Sequence, residues 1–283
     1  MDAGLDPTGL QRLLLLAIEE DLGSGDITGI ATIDPQWLGE AEIRAKQPLV
    51  AAGLEILAPF WDLIDPEVKI ETPATDGQRL VVGDRLAIVR GRVRSLLAGE
   101  RICLNLLCHL CGVATLTAAY VEQVGPHRAR ILDTRKTNPG MRRLEKAAVR
   151  AGGGHNHRFG LYDQILIKDN HVDACGGVTA AIRKARLEFP QAPLEIEVRN
   201  EEELREALAE QAPVILLDNM DLDRIRRCVE IAAGRAELEV SGGVTLDRIA
   251  ALAATGIDRI SVGALTHSVP AADLHMKLTP NRA

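Results

Sequence analysis

Aromatic residues are scarce in this chain: among 283 residues there are three Phe, two Trp and two Tyr, 2% in all. Platforms that stack the bases of single-stranded nucleic acid need such rings, so that class of ligand is not expected. Cysteine is sparse too. The five (Cys103, Cys108, Cys111, Cys175, Cys228) are an odd number, mostly in apolar helical contexts, which argues against a disulfide framework. Cys108-His109-Leu110-Cys111 has no second ligand pair at zinc-like spacing and reads as part of a buried helix. No basic-then-apolar leader opens MDAGLDPTG, and no apolar run approaches the roughly 20 residues that cross a bilayer. The expectation is a soluble, cytoplasmic protein with neither membrane nor nucleic acid as partner. At 46% hydrophobic, its core must be built from Leu, Ile, Val and Ala, enough for one large domain and a smaller one.

What the chain does have is a basic island. Its net charge is −7, yet Arg128–Lys168 holds ten Lys/Arg against three Asp/Glu, a local +7 that leaves −14 elsewhere. Cations gathered in an otherwise acidic protein describe a pocket for a small polyanion. The organisation around the island changes at Pro126. Before it, an amphipathic helix closed by Gly23 precedes the alternating segments AEIRAKQPLVAAG, VKIETPA and DRLAIVRGRV, an α+β pattern. A long helix follows from about Arg94 to Val124. After Pro126, the β-rich runs ARILDT, DQILIK, LEIEV, PVILLD, LEVSG and DRISVG alternate with helical segments, the last four at roughly 21–23-residue intervals. Repeated βα units imply a parallel sheet. Six strands that each end in or beside polar or glycine residues favour a closed or nearly closed barrel over an open sheet with one switch point. The expected fold is an incomplete parallel α/β barrel with a smaller N-terminal α+β sandwich. The division is residues 1–112 and 113–283, with the extreme C-terminus packing back on the first domain.

Chemistry is concentrated at the strand ends. Arg135-Lys136 follow ILDT, and Asn138-Pro139-Gly140 turns the chain into a helix near Met141, whose free N–H groups would add to an anion site. Gly152-Gly153-Gly154 would let backbone approach a ligand and leads to His157-Arg158. Lys168 ends QILIK and must face solvent, an anion or a carbonyl carbon. Glu197 alternates with Ile196 and Val198, so as an inward carboxylate it needs a sugar hydroxyl, a cation or Mg²⁺; Asp218 repeats the arrangement one strand later. Ser241-Gly242-Gly243 and Gly263 supply glycine turns at the last two strands, where barrels seat a phosphate on backbone N–H groups.

In this order, DLGSGDIT, ERICLNLLCHLCGVAT, TRKTNPGMRRLEKAAVRAGGGHNHRFGLYDQILIKDNH, EIEV, LLDNM and SGGV resemble the quinolinate phosphoribosyltransferases over nearly the whole chain. The resemblance implies a pentosyltransferase that joins quinolinate to phosphoribosyl pyrophosphate, releases pyrophosphate and CO₂, and leaves nicotinate mononucleotide for de novo NAD synthesis. It also implies Mg²⁺ and a homodimer or a hexamer built of dimers. By position, Arg135, His157, Arg158 and Lys168 would line the quinolinate carboxylates, and Lys136 the pyrophosphate. Arg101 would reach the neighbouring subunit's site. Glu197 and Asp218 would hold ribose hydroxyls and Mg²⁺, the metal possibly through water, and Ser241, Gly242, Gly243 and Gly263 would surround the 5-phosphate. Lys136, Lys168, Glu197 and Asp218 are the expected catalytic groups. The other readings are a molybdenum-utilisation relative of the same fold, a Schiff-base aldolase using Lys168, and a non-catalytic sensor of phosphorylated ligands.

Overall fold

The computed structural model describes residues 7–281. Compactness divides it into two units: residues up to Ala118 with Thr137–Gly153 and everything from Val269 on, and Ala119–Lys136 with Gly154–Ser268.

The first unit opens with helices α1 (Pro7–Leu22) and α2 (Ile27–Thr32), the latter capped by Asp26, whose carboxylate accepts from Thr28 N–H. Strand β1 (Leu38–Ala45) buries every second residue from Gly39 to Ala45, the period-2 signature of a half-buried strand. Its polar face carries cross-strand ion pairs, Glu40 with Arg90 and Glu42 with Arg85. Then come β2 (Leu49–Val50), α3 (Leu57–Ile64), β3 (Lys69–Glu71), β4 (Arg79–Leu80), β5 (Arg85–Arg92) and the 32-residue α4 (Val93–Val124). The antiparallel sheet reads β12-β1-β5-β3, where β12 is the C-terminal strand Leu274–Asn281, paired along all of β1 from Leu38↔Asn281 to Ala45↔Leu274. Phe60 and Trp61 of α3, edge to face at 5.1 Å, lie wholly buried, with Gly99 of α4 against the Trp61 ring.

Helix α4 corrects one expectation. By length and composition alone it could cross a membrane, because no charge falls between Arg101 and Glu122. Asn105, His109, Thr115 and Thr117 break the run when apolar residues alone are counted, but they do not lower its mean hydropathy enough. In the protein 67% of its most apolar stretch is buried.

Helix α5 (Arg142–Ala151) also belongs to the first unit. Its buried Glu145 accepts from the backbone N–H of Asn138 (3.1 Å) and the Asn138 amide (2.7 Å), and lies 2.8 Å from His109 Nε2.

The second unit is the expected βα repeat: β6 (Arg130–Leu132), β7 (Ile165–Ile167), α6 (Asp169–Cys175), α7 (Val178–Glu188), β8 (Leu194–Val198), α8 (Glu201–Ala209), β9 (Val214–Asp218), α9 (Leu222–Ala232), β10 (Glu237–Ser241), α10 (Ile249–Ala253), β11 (Arg259–Ser261) and α11 (Ala264–His267). Its strands are all parallel, in the order β6-β11-β10-β9-β8-β7. Beyond β6 a parallel bridge from Leu132 to His155 extends the edge. Among the described residues β6 and β7, the two ends, do not pair with each other. The barrel is therefore incomplete. That the sheet is curled follows from His157, which comes off the β6 edge and reaches carboxylates on both β8 and β10.

Candidate active site

The ends of the six barrel strands surround one cavity of about 820 Å³, wholly within the second unit. Arg135 and Lys136 enter after β6, His157 and Arg158 from the bridge segment, Lys168 after β7, Glu197 from β8, Asp218 from β9, Ser241, Gly242 and Gly243 from β10, and Gly263 after β11. Arg101 is exposed on α4 in the first unit and does not line this cavity.

Two glycine-linked expectations change. No residue of the Gly152–Gly154 run lines the cavity. A Cβ on Gly152 would stand 2.4 Å from the Ala114 carbonyl oxygen, so this glycine permits close helix packing rather than ligand approach. The start of α5 does not line it either, and the Asn138 donors that precede the helix are taken by Glu145. Gly263 has an ordinary helical backbone (φ −67); a Cβ there would press on Lys136 Cδ at 3.0 Å and the His267 ring at 3.1 Å. Its service is room for the lysine stem, whose backbone is fixed by Thr134 Oγ1, which accepts from Lys136 N–H, and by the Thr266 hydroxyl, which donates to Lys136 O.

Beneath the cations lies a network that the sequence reading passed over. Asp133, wholly buried, accepts from His157 N–H (2.9 Å) and the Asn156 amide (2.5 Å) and so fixes the His-Asn-His-Arg segment. His157 Nε2 is 3.0 Å from Glu195 of β8 and 3.4 Å from Glu239 of β10, both fully buried. Glu195 also accepts from Gln164; Glu239 takes the Ser261 hydroxyl at 2.5 Å and pairs with Arg259 at 2.8 Å. His157, Glu195 and Glu239 could hold a metal, with their ligand atoms within 4.8 Å of one another. Arg259 and Ser261 already serve Glu239, so protein donors do that work. Arg158 N–H, 2.7 Å from His157 Nδ1, suits a neutral ring. Two buried carboxylates against one neighbouring guanidinium nonetheless leave a negative charge that an imidazole proton balances. Burial pushes the His157 pKa down, but hydrogen bonds to Glu195 and Glu239 outweigh it and raise it to about 9. Burial would raise Glu239; His157 and Arg259 hold it low instead. The signal for Glu195 was present in LEIEV, where it shares Glu197's face at period 2.

The upper rim is electrostatically unfinished. Burial and then the adjacent Arg135 charge pull Arg158 below the usual arginine value. Burial and then Asp218 lift half-buried Glu197 above the usual carboxylate value. Crowded cations favour an added anion, and crowded acids favour an added cation. Two carboxylates are too few for an all-protein cage, but they suit Mg²⁺, which keeps water and substrate phosphates in its shell.

Fold and site together define an α/β-barrel enzyme acting on a small phosphorylated polyanion. Its N-terminal region (residues 26–111) and C-terminal region (residues 113–277) match the quinolinate phosphoribosyl transferase N-terminal and C-terminal domain models. The chain belongs to the quinolinate phosphoribosyl transferase family. It is 44% identical to a probable nicotinate-nucleotide pyrophosphorylase (carboxylating) of Bacillus subtilis strain 168, over 95% of this chain and 93% of that one. It is 43% identical to the nicotinate-nucleotide pyrophosphorylase (carboxylating) of Mycobacterium leprae strain TN, over 93% and 94%. The crystal structure of NadC from Streptococcus pyogenes superposes with a TM-score of 0.94 at 41% identity, covering 99% of this chain and 100% of that one.

Proposed function

We propose that this chain transfers the phosphoribosyl group of phosphoribosyl pyrophosphate to the ring nitrogen of quinolinate, with loss of CO₂, in de novo NAD synthesis in the cytoplasm. The observation that carries the reading is the convergence of Arg135, Lys136, Arg158 and Lys168 with Glu197 and Asp218 on one cavity. A diacid and a pyrophosphate bring several negative charges that such a cup would balance.

In the reaction the bond from ribose C1 to the pyrophosphate oxygen breaks and that oxygen keeps the electron pair. Positive charge grows on C1, and Glu197 and Asp218 stand to stabilise it while Lys136 meets the leaving group. The quinolinate nitrogen, which carries no proton, then bonds C1, so no general base is required. Ring nitrogen becomes cationic, the bond from C2 to its carboxylate breaks, CO₂ departs, and C2 takes a proton from water. Arg135, Arg158 and Lys168, with His157 held cationic below them, bind and orient the carboxylates. Mg²⁺, held by Glu197 and Asp218, would supply charge neutralisation to the pyrophosphate. Ser241, Gly242, Gly243 and Gly263 border the place for the 5-phosphate.

Purified protein with quinolinate, phosphoribosyl pyrophosphate and Mg²⁺ should release CO₂, and nicotinate in place of quinolinate should give none of the product. Absence of CO₂ release overturns the reading. Borohydride trapping of a carbonyl substrate on Lys168 would replace it with the aldolase. We assign Arg101 to the neighbouring subunit's cavity in a homodimer. Mixing inactive Arg101→Ala and Lys136→Ala proteins should then restore activity, because a mixed dimer regains one intact site; no recovery removes the assignment.

A further inference from the structure

Among the described residues three non-glycine positions have left-handed backbone: Gln211, Ala233 and Asn219. The first two close the C-terminal ends of α8 and α9, where that conformation is ordinary. Asn219 (φ +51) is different, for it directly follows Asp218, the last residue of β9 and part of the cavity lining, and itself lines a smaller adjoining pocket with Ser241 and Gly242. A strained conformation kept at a site asks what maintains it. Here the side chain gives an answer. Its amide donates to Asp218 Oδ1 at 3.0 Å, as only the nitrogen end can toward a carboxylate. Its oxygen faces the next loop, at Gly242, where any Cβ would stand 2.7 Å away. Gly242 is itself left-handed (φ +91), so the facing position is closed to other residues by conformation and by space. Asp218 and Ser241 are register partners on the adjacent strands β9 and β10, and Asn219 and Gly242 are the pair immediately beyond them.

We propose that Asn219 is a positioning residue for the phosphoribosyl donor: a strut that locks the Asp218 carboxylate and sets the spacing between it and the Ser241–Gly243 turn. The inference rests on the functional reading above. It deepens that reading by assigning the strut to one substrate. Asp218 and the glycine turn face the ribose phosphate half, whereas the diacid half is lined by Arg135, Arg158 and Lys168. Loss of the strut therefore acts on the donor and spares quinolinate.

Asn219→Gly keeps the left-handed backbone and removes the amide; Asn219→Asp keeps the shape and sets a second carboxylate beside Asp218. In both, kcat/KM for phosphoribosyl pyrophosphate at saturating quinolinate should fall about tenfold or more, the range expected for a lost hydrogen bond to a charged group. Quinolinate Kd by calorimetry should stay within about twofold of wild type. The thermal midpoint of Asn219→Gly should be no lower than wild type, since glycine relieves the strain; a residue that merely holds the fold together would lower it. Unchanged donor kinetics in both variants overturn the strut, as does equal weakening of donor and quinolinate. A wild-type protein that forms no product from the two substrates instead defeats the functional reading, and this inference with it.

Discussion

His157 illustrates how far one side chain depends on two buried carboxylates of the barrel floor. Glu195 and Glu239 keep its folded pKa at about 9, above the ordinary 6.5. A raised folded value contributes stability that is complete below about pH 6.5 and disappears as pH climbs through about 9. Wild type should thus exceed His157→Gln in urea stability most at pH 6, and the gap should narrow by pH 9.5; a constant gap across that range argues for a neutral ring. On the rim, Lys136→Ala or Arg158→Ala should lower turnover at least tenfold, within the roughly 10²–10³ range of a lost electrostatic donor, with the unfolding midpoint little changed. Near-wild-type kinetics in both would remove these groups from the chemistry. The sequence makes Arg135, Lys136, Lys168, Glu197 and Asp218 legible because each lies at or just past the end of a hydrophobic run, and Arg158 because it follows a glycine run and a His-Asn-His segment. Glu195, Glu239 and Asp133 are harder to see. Glu195 shows only as a second acid on the face of Glu197, and what makes each carboxylate matter is its partners, Asn156, His157, Gln164, Arg259 and Ser261, which lie far away in the chain.

At the scale of elements, the six barrel strands are readable as short β-rich runs punctuated by polar or glycine residues, and α4 by its length. The glycine run after α5 is misread from sequence because a glycine serving a ligand and one serving helix packing look alike. The Ala114 carbonyl, 2.4 Å from where a Gly152 Cβ would sit, decides between them. Gly152→Ala should cost about 1–3 kcal/mol in stability, the usual penalty of overpacking, measurable by denaturant unfolding. Strand β12 is not legible in its register, since LHMKLTPN alternates weakly and its partner lies at the other end of the chain. Deleting residues 274–283 should leave β1 with an open edge and yield protein that melts earlier or aggregates, as read by light scattering. An unchanged melting curve would mean the ladder contributes little.

For the whole molecule, charge distribution matters more than total charge. Of the island's ten cations only Arg135, Lys136, Arg158 and Lys168 line the cavity, and these four should draw anionic substrates to its mouth, so KM for both should rise with added KCl while kcat moves less. Insensitivity of both KM values up to physiological ionic strength would show that steering is negligible. The fold class is visible in the sequence because βα repetition is a local pattern. The shared electrostatics of the barrel floor are not visible, because they arise only when β6, β8, β10 and β11 are brought round on one another.

The pairing of β12 with β1 also sets an order of events during manufacture on the ribosome. The stretch from Gly154 to Ser268 emerges before the last strand exists, so the barrel's strands can all be present while the first sheet still waits for its outermost member. A cell making this protein must therefore shelter an unfinished β edge until Leu274–Asn281 has been made and has left the ribosome.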